Sequence, residues 1–289
     1  MLDVVIAGVP QGFEADYLSQ LRQFESRVRI AGLYDPIPAN RADWMQQHRL
    51  SCYGGLQCMI DHLAPKAVFL LSNLWQLGDL PRSFQNTERA LFLGKQVLSS
   101  FLGQQESVHQ QWKQTASTIV PELPLRYWPS VIRAQELIAT RVGKLQHVEI
   151  DSVQPVSDLT ACLHWTDLIF HLLRISITKC SLQYDSDLMQ LTLEAPEVNG
   201  LRRSAQIRSG KTDQASLTLH GANGAIEILD ERTIRWRCEH ESFEESLSED
   251  RSPQCVMIDH FLRRSAGGLI PVPDWNHICQ IHQQLLQLT

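Results

Sequence analysis

The stretch that decides the fold is Val4-Val5-Ile6-Ala7-Gly8-Val9-Pro10-Gln11-Gly12, followed by the segment from Phe13 to Phe24. Four consecutive apolar residues, a glycine-bearing turn and apolar residues at helical spacing predict a strand, a tight turn and a helix. A turn of this kind suits the binding of a phosphate, because the N-terminus of the helix points at the anion. The first two dozen residues therefore predict a nucleotide-binding type of α/β domain.

The same alternation continues downstream. The predicted elements are a strand from Val28 to Tyr34, a helix from Arg41 to His48, a buried strand from Ala67 to Leu71, a helix from Arg82 to Leu93 and a strand from Gln96 to Leu98. Strands that alternate with helices over short connections indicate a parallel sheet with helices on both faces. We expect residues 1–121 to form a Rossmann-type, doubly wound domain.

The pattern changes after Pro121. The predicted elements are helices from Val131 to Val142 and Leu163 to Leu173, a strand from Leu145 to Val153, and strands over 181–193, 203–207, 214–220, 225–229 and 233–238. Successive strands joined by turns predict an open, mainly antiparallel sheet. We expect residues 122–289 to form an α+β domain. The acidic stretch from Glu239 to Asp250 is interpreted as a solvated loop, and the last helix, Asp274 to Leu288, as one that can return toward the first domain.

Composition narrows the classes of partner. The chain has 289 residues and a net charge of -6, so no basic surface for nucleic acid is indicated. Seven scattered cysteines without a C-x-x-C pair favour reduced thiols. No apolar run approaches the roughly 20 residues that span a bilayer. The expectation is a cytoplasmic protein with no membrane and no nucleic-acid partner.

Several landmarks occur in a familiar order. They are Leu91 to Leu102 (LFLGKQVLSSFL), Arg126 to Pro129, Ala134 to Leu145, His164-Trp165-Thr166-Asp167, and Ile258 to Asp274. Together they resemble the Gfo/Idh/MocA oxidoreductases, and the chain is identified as a degenerate member of that family. The resemblance implies NAD or NADP as cofactor, a small-molecule ligand in a cleft between the domains, and a homodimer formed through the C-terminal sheet.

The cofactor residues implied by the resemblance are Gly8, Val9, Pro10, Gln11, Gly12, Asp35, Ser72 and Asn73. Aligned on Gly8, the second and third glycines of G-x-G-x-x-G are replaced by Pro10 and Phe13. Proline supplies no N–H, although Gly12 offers an alternative turn. The fingerprint is therefore eroded.

Asp35 admits two interpretations. An acidic residue after the second strand of such folds binds the ribose 2′-hydroxyl and favours NAD over its phosphorylated form. Alternatively, Asp35-Pro36 begins a turn. Ser72 and Asn73 follow the third strand, where the family commonly has Thr-Pro lining the nicotinamide pocket.

The catalytic residues depart further from the family pattern. Ser100, Phe101 and Leu102 stand where the family has Glu-Lys-Pro, and Thr160 stands at the position of an aspartate, so only His164 is kept. Loss of one preorganised charge typically costs roughly 3 to 4 kcal/mol of transition-state stabilisation. His164 and Asp167 share one helical face and form a candidate acid-base pair, or they only cap and pack the helix.

Three functions stay open at this stage. The first is an NAD(P)-dependent oxidoreductase with weak, altered or absent dehydrogenase activity. The second is a non-catalytic pseudoenzyme that senses a ligand or serves as a partner subunit. The third is a reductase of an imine or alkene that uses His164 as its proton donor. The spacing of histidines and cysteines predicts no metal site.

Overall fold

The computed structural model describes residues 1–48, 50–72, 84, 89–102, 111, 118–153, 159–174, 179–185, 188–194, 203–209, 215–239, 241–273 and 275–286. The chain divides into two compact units. The first contains Met1–Glu122 and Gln254–Cys279, and the second contains Leu123–Pro253 and Gln280–Thr289. Asn73, one of the expected cofactor residues, lies outside the described residues.

The first unit contains a parallel sheet. Its strands are β1 (Leu2–Ala7), β2 (Val28–Tyr34), β3 (Cys52–Tyr53), β4 (Ala67–Leu70), β5 (Ala90–Leu93) and β6 (Ile119–Pro121). The six strands lie in the order β3-β2-β1-β4-β5-β6, and every pair is parallel. The predicted Rossmann-type sheet is confirmed.

Helices connect and cover these strands. A π-helical segment (Glu14–Leu18) leads into α1 (Ser19–Arg22), and the remaining helices of this unit are α2 (Pro38–His48), α3 (Leu56–Leu63), α4 (Lys95–Leu102) and α7 (Pro253–Ser265), the last from Gln254 onward. Phe261 of α7 packs against Phe69 and Phe92, with ring centroids 5.0 and 5.4 Å away. All three rings are fully buried, so the C-terminal segment completes the core of this unit.

Two predicted elements of this unit are wrong. The segment Ala90–Leu93 is strand β5 and not the end of a helix, and Gln96 to Leu98 lies inside helix α4 and not in a strand. A short apolar run has no periodicity that separates a buried strand from a buried helix. The pairing of β5 with β4 and β6 settles the matter, since four consecutive residues, Ala90 to Leu93, are buried between neighbouring strands.

The second unit contains a mixed sheet. Its strands are β7 (Leu145–Ser152), β8 (Lys179–Asp185), β9 (Leu188–Glu194), β10 (Ser204–Ser209), β11 (Ser216–Gly221), β12 (Gly224–Ile228), β13 (Thr233–Cys238) and β14 (Glu241–Ser246). The eight strands lie in the order β14-β13-β12-β11-β7-β10-β9-β8. β10 and β7 are parallel, and the other pairs are antiparallel. The predicted open, mainly antiparallel sheet is confirmed.

The acidic stretch from Glu239 to Asp250 was predicted as a loop, and this is wrong for the segment Glu241–Ser246. Glu241–Ser246 pairs with β13 as the edge strand β14, where its exposed carboxylates meet arginines, as Glu244 meets Arg235 at 2.8 Å. Charged side chains are tolerated on an edge strand because one side of it faces water.

The helices of the second unit are α5 (Pro129–Leu137), which continues as a π-helical segment (Ile138–Val142), and α6 (Leu159–Leu173); the final helix α8 (Trp275–Leu286) begins in the first unit and ends in the second. Helix α6 packs against β7, whose Val148 and Ile150 are fully buried while the alternate residues are not. Among the residues described above, no helix has both the length and the apolar character needed to cross a bilayer.

Candidate cofactor and proton-transfer sites

The functional candidates of the first unit lie at one edge of its sheet. Gly8 follows β1, Asp35 follows β2, Ser72 lies two residues beyond β4, Lys95 lies two residues beyond β5, and Glu122 follows β6. Because these strands are parallel, their carboxyl ends meet at the same edge. In open α/β sheets this edge is where ligands bind.

The glycine-bearing turn has the backbone that the sequence predicts. Gly8 and Gly12 have φ angles of 81° and 82°, which are left-handed values that favour glycine. A Cβ on Gly8 would come within 1.9 Å of Ser72 Oγ. The structure therefore brings Gly8 and Ser72 together, and only glycine allows the ends of β1 and β4 to approach this closely.

The backbone N–H groups of the turn are mostly engaged. Gly8 N–H donates to Tyr34 O at 2.7 Å, and Phe13 N–H donates to Pro10 O at 3.2 Å. Val9 N–H donates to the Asp35 carboxylate at 3.2 Å. Within the part of the chain that the structure describes, Gln11 and Gly12 are left with N–H groups that no protein acceptor uses. These two donors are the ones free to bind an anion.

Asp35 faces into the protein. Its side chain is 2% exposed and accepts hydrogen bonds from Val9 N–H at 3.2 Å, Ile37 N–H at 2.8 Å and Asn40 Nδ2 at 3.2 Å. Arg41 Nη1 donates to the backbone oxygen of Asp35 at 2.8 Å. The carboxylate both begins a turn and fixes the glycine-bearing loop to the end of β2.

A negative charge lies beside the turn. The first turn of the following helix carries Glu14 and Asp16. A Cβ on Gly12 would lie 3.0 Å from Asp16 Oδ2, so this carboxylate sits against the turn. Acidic residues stabilise the N-terminus of a helix, but here the charge opposes the approach of a phosphate to the same N–H groups.

Lys95 is the first residue of α4 and is exposed to solvent. Its backbone N–H donates to Glu122 Oε2 at 2.6 Å, and Tyr17 Oη donates to the same oxygen at 2.7 Å. Glu122 is 7% exposed. Burial raises the pKa of Glu122, while the hydrogen bonds from Tyr17 and Lys95 oppose this rise. Burial, with Glu122 beside it, raises the pKa of Tyr17.

In the second unit, Asp167 pairs with Arg126. The two form a bidentate ion pair through both carboxylate oxygens, and the side chains are 1% and 14% exposed. His164 is half-buried on the same helix, α6. The carboxylate of Asp167 is thus committed to Arg126. The side chains of Thr160 and Phe101 lie outside the described residues.

Sequence reasoning missed three residues of these sites, namely Lys95, Glu122 and Arg126. Lys95 lay inside the quoted Gly-Lys motif but was assigned to a connection between a helix and a strand. Glu122 gave no local signal. Arg126 belonged to the landmark Arg126 to Pro129, but nothing there indicated its partner, because the partners of Glu122 and Arg126 are 27 and 41 residues away along the chain. Within the described ranges, no group of three or more His, Cys, Asp or Glu side chains is arranged to hold a metal ion.

Comparisons with known proteins identify the fold. No family model matches the chain, and no curated protein matches it. A Gfo/Idh/MocA family oxidoreductase from Vibrio cholerae superimposes with a TM-score of 0.72 at 14% identity, covering 100% of this chain and 96% of that one. The chain has the Gfo/Idh/MocA fold.

Two further structures also match over nearly the whole chain. The transcriptional regulator Gal80p from Kluyveromyces lactis has a TM-score of 0.77 at 14% identity and covers 99% of this chain and 91% of its own. Biliverdin reductase from Synechocystis, in complex with biliverdin and NADP⁺, has a TM-score of 0.70 at 14% identity. The match covers 99% of this chain and 98% of the biliverdin reductase chain. Enzymes and a regulator therefore share this architecture.

The position of β5 changes how the family motif aligns on this Gfo/Idh/MocA fold. The Glu-Lys-Pro triplet was expected at 100–102 from the resemblance of the segment Leu91 to Leu102 to the family motif, and Gln96 to Leu98 was interpreted as the strand before it. That strand is Ala90–Leu93, so the three residues that directly follow it are Gly94, Lys95 and Gln96. A lysine therefore stands at the second position after the strand, as in the family triplet.

Proposed function

We propose that the protein is an NAD(P)-dependent oxidoreductase of the Gfo/Idh/MocA family in which Lys95 supplies the lysine of the proton-transfer step. The observation that carries the proposal is the place of Lys95, two residues beyond β5 at the carboxyl edge that also carries the Gly8–Gly12 turn. The apparent loss of the lysine at Phe101 then reflects a shift of the motif along the chain and not its removal.

The backbone of the turn fits the pyrophosphate of a dinucleotide in shape, while the negative charge of the nearby Asp16 carboxylate opposes its binding. The positive φ of Gly8 and Gly12 and the close approach of Ser72 provide the cradle, and Gln11 and Gly12 N–H provide two donors. Val9, Pro10 and Asn73 complete the proposed cofactor set. Bound nicotinamide would supply the acceptor or donor of a hydride.

The proposed roles of the remaining residues follow from their chemistry. Lys95 Nζ would hold the proton that a substrate hydroxyl loses during oxidation, or return it to the alkoxide during reduction. As an ammonium it would also stabilise the negative charge that develops on that oxygen. His164 is the second proposed acid or base. Asp167 would hold helix α6 through its ion pair with Arg126 and so fix the position of His164 on that helix. Asp35 would hold the glycine-bearing turn in place.

Two alternatives have specific support. The likeness to biliverdin reductase supports reduction of a conjugated alkene or an imine, with His164 as the proton donor. The likeness to the regulator Gal80p supports a pseudoenzyme that senses a ligand or pairs with an enzyme. Asp16 beside the turn and the missing N–H of Pro10 also favour the pseudoenzyme, because both weaken the binding of a phosphate.

The deciding experiment is a titration of the protein with NADH, NADPH and their oxidised forms, followed by tryptophan fluorescence and by calorimetry. Binding of any one of them at micromolar concentrations supports an enzyme, and a screen of sugar alcohols, imines and conjugated alkenes then separates the two reaction classes. If none binds at millimolar concentration to folded protein, the oxidoreductase proposal fails and the pseudoenzyme remains.

A homodimer through the C-terminal sheet also remains a proposal. The apolar side chains of the central strands, among them Ile150, Leu219 and Ile226, are buried within the unit. The opposite face carries charge, with Arg208 bonded to Glu149 at 3.1 Å. A dimer on this face would therefore be polar, and sedimentation at low and high salt would test it.

The ligand cleft between the domains and the cytoplasmic location, which the scattered cysteines support, are also proposals.

A further inference from the structure

A second candidate site lies in the second unit, apart from the residues discussed so far. A cavity of about 360 Å³ opens beside the C-terminal end of α6. Its apolar wall consists of Ile138, Ala139, Leu145, Leu172 and Leu173. Small-molecule pockets in proteins start at roughly 300 Å³ and are mostly apolar with a few polar groups. The cavity has the size and the lining for a small organic ligand.

Three cations line the same cavity, namely Lys144, Arg174 and Arg203, and no carboxylate does. They come from three separate segments, which are the turn before β7, the residue after α6 and the residue before β10. Among the described residues no ion pair involves any of the three. The net charge of the protein is -6, whereas every charged side chain that lines this cavity is positive, so the cavity has the opposite sign to the protein as a whole.

Compensation of the helix dipole does not account for these cations. Arg203 Nη1 does cap α6 by donating to Leu173 O at 2.8 Å, but this bond uses only one of its donors. Lys144 belongs to another segment. Arg174 has a φ of 50°, a left-handed conformation that glycine adopts freely and arginine adopts only with strain.

The polar wall of the cavity is neutral. His171 and Gln135 are joined by a contact of 2.6 Å between their Nε2 atoms, so the imidazole Nε2 accepts a hydrogen bond from the amide. Burial, together with the nearby Arg126 and Arg174, lowers the pKa of His171 to about 4. The histidine therefore carries no charge at neutral pH, and the charge of the cavity comes only from the three cations.

We propose that this cavity binds an organic carboxylate whose aromatic or aliphatic body packs on Leu172 and Leu173 while its carboxylate meets Arg174, Arg203 and Lys144. The site does not depend on the proposed oxidoreductase function. His164 lies on α6, ten residues before Arg174, which directly follows that helix. Ten residues correspond to roughly 15 Å along a helix axis. A ligand in the cavity is thus separate from the proposed proton-transfer residues.

The test uses benzoate and 2-naphthoate as probes, and 2-naphthamide as the neutral counterpart, in calorimetric titrations of the full chain. We expect both carboxylates to bind with a Kd below about 1 mM, and the amide to bind at least about tenfold more weakly. Lys144→Gln, which leaves the cap of α6 by Arg203 intact, should weaken binding of the carboxylates by about fivefold, equivalent to about 1 kcal/mol. Ala139→Phe should abolish it by filling the cavity.

The control is Arg237→Gln, which removes an exposed cation of β13 that does not line the cavity. Each variant is first checked for an unchanged thermal melting temperature. Arg203→Gln is a second charge variant, and its effect is interpreted only if it folds as the parent does. The proposal is overturned if neither carboxylate binds below about 1 mM, or if Ala139→Phe and Arg237→Gln bind 2-naphthoate equally well.

Discussion

The carboxylate of Glu122 accepts the backbone N–H of Lys95, with 2.6 Å between Oε2 and N. Glu122 directly follows β6 and Lys95 begins α4, so one buried side chain fixes the first residue of the helix that follows the neighbouring strand β5. A carboxylate at the N-terminus of a helix is stabilised by the free N–H groups there. Glu122 therefore fixes the start of α4 and, with it, the position of the Lys95 backbone.

Replacement of Lys95 by methionine tests its role directly. If Lys95 holds the proton and stabilises the alkoxide, Lys95→Met should lower kcat by about a hundredfold or more, which is typical of losing one preorganised charge. The affinity for the nicotinamide nucleotide should change by less than about twofold, because the turn is untouched. Gln96→Met, at the exposed neighbouring position, is the matched control. Equal activity of the two variants would remove Lys95 from the mechanism.

Glu122→Gln should change how stability depends on pH. Burial raises the pKa of Glu122, so the folded state holds this proton more tightly than the unfolded state, and the stability it contributes falls as pH rises through the raised pKa. Glutamine keeps an oxygen for Tyr17 and Lys95 but carries no charge. The free energy of unfolding of the variant, relative to the parent, should therefore be higher at pH 8 than at pH 5.

Chemical denaturation at these two pH values measures the effect. Glu25→Gln removes an exposed carboxylate of the same unit and should show no such difference. A stability difference that is constant with pH would mean that Glu122 is not protonated more readily in the folded state.

The fold could be predicted from the sequence because its signals are local. The strands around Val4 to Ala7 and Ala67 to Leu70 are continuous apolar runs bounded by turn residues, which indicates buried parallel strands. The prediction for the segment Arg82 to Leu98 was wrong because the signal that decides its structure is not local. Ala90–Leu93 is apolar without periodicity, and only its pairing with two other strands makes it a strand.

The candidate sites could be predicted only where one segment contains them. Gly8 and Gly12 were identifiable, since a turn between a strand and a helix requires positive φ. The bonds of Asp35 to Val9 and of Asp167 to Arg126 span 26 and 41 residues, and no local pattern encodes them. Under the proposed role of Lys95, the corrected position of β5 also moves the expected lysine from Phe101 to Lys95.

Asp16→Asn should strengthen nucleotide binding. The Asp16 carboxylate lies against the Gly12 turn, where it repels a pyrophosphate. Exposed charge interactions contribute roughly 0.2 to 1 kcal/mol, so the affinity for NADH and NADPH should rise by about threefold. The gain should disappear at 1 M salt, where the screening length is about 3 Å. Asp43→Asn on α2 is the control, and an equal gain there would point to net charge and not to the turn.

Arg41 should favour the phosphorylated cofactor. The Asp35 carboxylate is turned into the protein and so does not repel a 2′-phosphate at the end of β2, while Arg41 is held there by its bond to Asp35 O. NADPH should bind at least as tightly as NADH. Arg41→Gln should weaken NADPH by about fivefold and NADH by less than about twofold. Arg22→Gln serves as the control, and an equal loss for both nucleotides would refute the assignment.

Breaking the Arg126–Asp167 pair should destabilise the protein strongly. The pair is bidentate and almost completely buried, so Asp167→Asn leaves a buried guanidinium without its partner charge. Removal of one member of a buried pair typically costs about 3 to 5 kcal/mol. The double variant Arg126→Met/Asp167→Leu removes both charges, so it should be more stable than either single variant. Urea denaturation of the parent, Arg126→Met, Asp167→Leu and the double variant forms a complete cycle. If Asp167→Asn left stability unchanged but moved the pH profile of turnover, Asp167 would act on His164 and not on Arg126.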